Sequence, residues 1–90
     1  FILYDNYPNP FNPSTNISYS ILNREHVNIV ILDVSGSKVI ELFNDYESAG
    51  IYSIDWNGKN EKGIQVSAGV YLYSIEAGKF RQTKKMILLK

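Results

Sequence analysis

Beyond Thr15 the chain is organised by alternation. Ile17, Tyr19 and Ile21 fall on one face of an extended segment and Asn16, Ser18 and Ser20 on the other, the two-residue period of a half-buried strand. Val27, Ile29 and Ile31 repeat the pattern, although Val30 and Leu32 make the second face partly apolar as well. Asp33-Val34-Ser35-Gly36-Ser37 predicts a turn, with Gly36 suited to a left-handed position. A short strand over 38–42 follows, and then a polar connection over 44–50. In the next strand, 51–56, Tyr52, Ile54 and Trp56 point one way. Asn57-Gly58 is a strong turn signal, and Gly63 closes a polar loop. Residues 70–77 are rich in β formers, with Tyr71, Tyr73 and Ile75 sharing a face. Ala77-Gly78-Lys79 then turns the chain into a last strand ending Met86-Ile87-Leu88-Leu89-Lys90. Short strands divided by turn signals at intervals of about eight to twelve residues, without a helical period, predict an all-β fold. The expected architecture is an immunoglobulin-like antiparallel β-sandwich of about seven strands.

The opening segment is built differently. Asn6, Tyr7, Pro8, Asn9, Pro10, Phe11, Asn12, Pro13, Ser14 and Thr15 are dense in proline and asparagine. Prolines so close together fix φ, remove donors and disfavour helix at each preceding residue. The segment is expected to be an extended or turn-rich entry, a strap pinned to the body by Tyr7 and Phe11. The same extended geometry serves proline-rich ligands. The chain opens directly on Phe1-Ile2-Leu3 with no initiator Met, which suggests one domain, residues 1–90, cut from a longer protein.

Composition narrows the function. Hydrophobic residues make up 44% and charged residues 20%, a folded balance. Net charge is zero, which argues against a nucleic-acid binder working through a global positive field. Cysteine is absent, removing disulfides, thiolate metal sites and a Cys nucleophile together, without fixing the compartment. No apolar run approaches the ~18 residues of a membrane-spanning helix.

Candidate chemistry is sparse. His26 is the only histidine, in a polar connection beside Arg24 and Glu25, and no nucleophile-elbow pattern accompanies it. Asp45 and Glu47 lie in what reads as a solvated loop. Catalysis is not expected. Residues 55–61 offer oxygens at alternating positions, but Lys59 would set an ammonium where a calcium loop needs an oxygen ligand. No metal or cofactor is expected. Trp56 and the tyrosines alternate with aliphatic company, the pattern of a sandwich interior rather than of a sugar-stacking platform.

The distribution of charge is more telling. All nine acidic residues lie at or before Glu76, while Lys79, Arg81, Lys84, Lys85 and Lys90 occupy the final stretch. Two readings stand side by side. Lysines flanking an apolar strand discourage edge-to-edge aggregation. They equally give an edge strand a positive rim that a partner sheet can pair with.

Five segments now appear in order: Tyr7-Pro8-Asn9-Pro10-Phe11-Asn12-Pro13-Ser14-Thr15, Asp33-Val34-Ser35-Gly36, Trp56-Asn57-Gly58, Ala68-Gly69-Val70-Tyr71-Leu72-Tyr73 and Lys84-Lys85-Met86-Ile87-Leu88-Leu89-Lys90. The set resembles the type A C-terminal sorting domain of the type IX secretion system, found on exported proteins of the Bacteroidetes and related phyla. The resemblance implies a non-catalytic address label of immunoglobulin-like fold, attached to an N-terminal cargo domain. After transit through the periplasm such a label is read by the outer-membrane translocon and commonly removed by a sortase-like peptidase, leaving the cargo at the cell surface or in the medium. The family's Pro-x-Pro motif falls on Pro8, Asn9 and Pro10, and its Gly-x-Tyr motif on Gly69, Val70 and Tyr71. Its C-terminal basic motif falls on Lys84, Lys85 and Lys90, the expected partner contacts. For Gly69 a close backbone approach or a positive φ is expected, and for Tyr71 inward packing. The chain is also similar to the immunoglobulin-like domain of flagellar hook-capping proteins around Trp56-Asn57-Gly58, Gly63 and Gly69-Val70-Tyr71. That alternative implies a structural assembly module. A third, an appended carbohydrate-binding module, requires an exposed row of aromatics.

Overall fold

The computed structural model describes residues 1–89. Seven strands form, β1 Ile2–Leu3, β2 Thr15–Ile21, β3 Glu25–Asp33, β4 Lys38–Glu47, β5 Gly50–Trp56, β6 Gly69–Ala77 and β7 Phe80–Leu88. They make two antiparallel sheets, one ordered β1-β2-β5 and the other β4-β3-β6-β7. Tight turns close the β3-β4 and β6-β7 hairpins, and the chain changes sheet after β2, β4 and β5. The fold is the antiparallel sandwich expected from the alternation.

The period-two positions face each other across the two layers. Ile17, Tyr19 and Ile21 of the first sheet meet Val27, Ile29, Ile31, Tyr73 and Ile75 of the second, all buried. Phe11, Trp56, Tyr71, Met86 and Leu88 complete the same core. The total accessible surface is 5371 Å², close to the roughly 5,400 Å² that area scaling gives a well-packed monomer of this mass.

Three expectations are corrected. The strand expected over 38–42 does not stop at Leu42 but runs to Glu47 as β4, with register shifts that leave Val39 and Leu42 as extra residues opposite β3. Such bulges break the two-residue period from which strands are recognised. His26 consequently lies within β3 rather than in a connection, paired with Tyr46 and packed edge-on to its ring at 5.0 Å. Asp45 and Glu47 likewise stand on β4 rather than in a loop. Tyr7 pins the strap as expected, but by its main chain, exchanging hydrogen bonds with Asn16 at 3.0 and 2.8 Å while its side chain stays exposed. Phe11 pins it by its side chain, buried together with Asn6 and Thr15.

Candidate functional site

The strap and the last strand, nearly eighty residues apart in sequence, meet at one sheet edge. The β6-β7 turn holds two residues, Gly78 and Lys79, between the paired Ala77 and Phe80. A hairpin that tight sets the parity of the ladder. Even-numbered residues of β7 bond to β6, and odd-numbered ones turn their N–H and C=O outward. The strap uses this outward face. Asn9 Oδ1 accepts from the Ile87 N–H at 3.0 Å, and Phe11 N–H donates to the Ile87 carbonyl at 3.0 Å. Leu89 N–H in turn donates to the Phe11 carbonyl at 2.8 Å. The strap is tied back in its turn. The Pro8 carbonyl accepts from the Thr15 hydroxyl at 2.8 Å, and that hydroxyl accepts from Asn6 Nδ2 at 2.9 Å. Pro8, Asn9 and Pro10 are themselves exposed, in a bend of the chain, and Asn9 joins the edge by its side chain.

The Gly-x-Tyr motif supports the same edge from behind. Gly69 opens β6 at φ 151° with nothing within 4 Å of where a Cβ would stand. Of the two roles expected, the positive φ is therefore present and the close approach is not. Val70 points outward, partly exposed. Tyr71 packs inward as expected, its ring edge-on to Trp56 at 5.4 Å, and its hydroxyl donates to the Ser67 carbonyl at 2.6 Å. Trp56 also packs on Phe11, with ring centroids 5.8 Å apart. Phe11, Trp56 and Tyr71 thus link strap, β5 and β6 into the floor beneath Met86 and Leu88. Trp56 is only 1% exposed, which removes it from any sugar-binding strip.

The three basic-motif lysines occupy different surroundings. Lys85 is exposed on the outer face of the sheet. Lys84 shares the inward parity of Met86 and Leu88 and is half-buried at the rim. Its Nζ meets Asp5 Oδ1 at 2.8 Å, and the Asp5 side chain is 89% exposed. The hydrogen bond to Asp5 raises the Lys84 pKa from its ordinary value. Lys90 lies outside the described residues.

Sequence reasoning missed Asp5, Asn6 and Tyr73. The Tyr73 hydroxyl accepts from Asn6 N–H and donates to the Tyr4 carbonyl, each at 3.0 Å. Burial pushes its pKa up. A polar tip on a buried tyrosine requires such a partner, but nothing in the sequence indicates which backbone supplies it. The oxygens considered for calcium are engaged within the protein, Asp55 Oδ1 accepting from Asn16 Nδ2 and Glu61 pairing with Lys38. Asn57 Oδ1 accepts from Lys59 N–H, and Asn60 Oδ1 from Lys62 and Ile64 N–H. Among the described residues no group of His, Asp and Glu is arranged to hold a metal ion, and no helix is long and apolar enough to cross a membrane.

Architecture and edge together define an immunoglobulin-like antiparallel sandwich whose final strand is clasped by its N-terminal strap. Residues 5–89 match the secretion system C-terminal sorting domain. The chain belongs to that family, the C-terminal sorting signals of the type IX secretion system, and membership implies secretion through the outer membrane to the surface or medium. No curated protein matches the sequence. Among solved structures it is similar to PorZ, a surface component of the type-IX secretion system of Porphyromonas gingivalis, with TM-score 0.68 and 19% identity over 98% of this chain and 11% of that one. It is similar to dimeric latent PorU of the same organism, with TM-score 0.70 and 20% identity over 96% of this chain and 9% of that one. FlgD of Xanthomonas campestris, a hook-capping protein, gives TM-score 0.64 and 24% identity over 83% of this chain and 55% of that one. The chain thus spans about a tenth of PorZ and PorU, and at these identities the likeness is one of fold.

Proposed function

We propose that the domain is a passive address label, carried at the C-terminal end of a longer secreted protein with its cargo on the N-terminal side. In this reading it passes through the periplasm folded, is held by the outer-membrane translocon, and is then removed by a sortase-like peptidase. Lys84, Lys85 and Lys90 are the contacts through which it is held. The family match over residues 5–89 carries the proposal. The exposure of Lys85 and the rim position of Lys84 leave both ammonium groups within reach of a partner, as expected where burying an unpaired charge is costly. A depression of about 430 Å³ is lined by Lys38, Val39, Asn60, Glu61, Lys62 and Ile64 among others, and Lys38 and Glu61 pair across it at 3.4 Å.

The test fuses residues 1–90 to a periplasmic reporter in a host with a working type IX system. The reporter is expected at the surface or in the medium, and its retention in the periplasm would overturn the reading. Replacing Lys84, Lys85 and Lys90 together by glutamine is expected to cut export at least tenfold while leaving the sandwich folded. Undiminished export of that folded variant places the signal elsewhere.

A further inference from the structure

We propose that the outer edge of β7 between Arg81 and Lys85 is a strand-addition site for an extended acidic segment of a partner protein. The inference rests on the sorting reading and specifies how the domain is gripped.

The strap occupies the outward groups of Ile87 and Leu89 and reaches no further along β7. By the same parity, Arg81, Thr83 and Lys85 direct three N–H and three C=O groups outward, and among the described residues none of these six has a bonded partner. Arg81, Gln82, Thr83 and Lys85 are exposed. An open run of main-chain donors and acceptors is what an added strand pairs with.

Charge selects the occupant. β7 carries Arg81, Lys84 and Lys85 and no carboxylate. Two of these cations have partners, Arg81 with Glu76 at 3.8 Å and Lys84 with Asp5 at 2.8 Å. Lys85 has none among the described residues. On a paired strand, facing side chains stand with Cβ atoms about 5 Å apart, so carboxylates on an incoming strand would be drawn to Arg81 and Lys85. A second copy fits poorly. Antiparallel pairing of two β7 edges about Thr83 sets Arg81 against Lys85 in both directions, a repulsive arrangement. The acidic edge of β4, with Glu41, Asp45 and Glu47, is bulged twice along its pairing with β3. Joining β7 to the β4 of another copy is moreover a head-to-tail contact with no built-in closure. β5 also leaves an outer edge but carries Asp55 and no cation.

The test titrates the full 90-residue chain with a short acetylated peptide alternating glutamate and valine, followed by amide NMR and hydrogen exchange. The amides of Arg81, Thr83 and Lys85 are expected to shift and to gain at least tenfold protection, and a lysine-valine peptide is expected to leave them unchanged. Thr83→Pro removes an outward N–H that the β6 ladder does not use, so the strand is retained while the edge is blocked. It is expected to weaken peptide binding at least tenfold. If that variant does not fold, Arg81→Glu with Lys85→Glu keeps the question open to measurement, since preference should then invert toward the lysine-valine peptide. Shifts that map elsewhere, equal binding by folded Thr83→Pro, or self-association of the chain through β7 would each overturn the inference. In the export assay, a wild-type reporter that is secreted together with an equally secreted, folded Thr83→Pro reporter rejects the edge site and leaves the sorting reading standing. A wild-type reporter that is retained rejects the sorting reading, and the titration still decides the edge.

Discussion

Asn9 makes one hydrogen bond on which a sheet edge depends. Its Oδ1 caps the Ile87 N–H at 3.0 Å, and the strap's main chain takes over beyond it. Removing an acceptor from a solvent-accessible donor leaves that donor to water, so the loss belongs at the modest end of hydrogen-bond energies, about 0.5–1.5 kcal/mol. Asn9→Ala is expected to lower stability by that amount and to raise Ile87 amide exchange several-fold. Asn9→Asp, which keeps an acceptor, is expected to preserve the protection. Equal exchange at Ile87 in wild type and Asn9→Ala would show that the side chain does not hold the strand. The flanking Pro8 and Pro10 matter for a different reason: they restrict the strap's freedom before it docks, so that less entropy is lost on closing it.

At the scale of elements, β7 is an edge strand that resists pairing at some positions and offers itself at others. Lys84 has the parity of the core residues Met86 and Leu88 yet carries a charge at the rim, a device that discourages uncontrolled edge association. Its pair with the exposed Asp5 is a surface one, worth about 0–1 kcal/mol. Lys84→Leu is therefore expected to change stability by less than about 1 kcal/mol while promoting self-association, measured by sedimentation velocity. A variant that stays monomeric would remove the gatekeeping role. Most of this element was legible in the sequence, since the Gly78 turn and the basic run to Lys85 lead into the apolar Met86-Ile87-Leu88-Leu89. β4 was legible only to Leu42. Its two bulges spoil the alternation, and its last residues are polar because β3 offers polar partners there, Tyr46 facing His26 and Asn44 facing Asn28. The site followed the same division. The Pro-x-Pro, Gly-x-Tyr and basic segments were visible separately, but their convergence was not. The contacts of Asn9 with Ile87, Asp5 with Lys84 and Asn6 with Tyr73 join residues more than sixty apart, through Asn9 and Asp5 side chains that also suit an exposed loop and through the Asn6 main chain, which carries no side-chain signal.

For the whole molecule, one consequence of a closed sandwich is its response to alkali. Burial, and then a hydrogen bond to Glu47, push the Tyr19 phenol up, and burial does the same to Tyr73. In the unfolded chain both ionise near 10. Above about pH 10 the unfolded state therefore binds fewer protons than the folded one, and the stability present at lower pH is lost as pH rises. Melting temperature is expected to fall above pH 10, with phenolate absorbance rising together with unfolding, and Tyr19→Phe is expected to flatten that slope. An unaltered slope in the variant would separate Tyr19 from the effect. The second consequence bears on how the sorting signal is studied. Met86 and Leu88 are at most 1% exposed, and large buried side chains removed from a core cost about 2–5 kcal/mol each. A domain of this size has about 5–14 kcal/mol in total. Deleting residues 84–90 removes both side chains, takes away the main-chain partners of Phe11, and uncovers the floor formed by Phe11, Trp56 and Tyr71. Residues 1–83 alone are expected to lack dispersed amide resonances and a cooperative melt, so lost export in such a truncation measures folding and not recognition. The glutamine variant keeps every core side chain and isolates the contact. If residues 1–83 melt cooperatively, the strand is dispensable to the sandwich, and a truncation becomes a clean probe of what holds the domain.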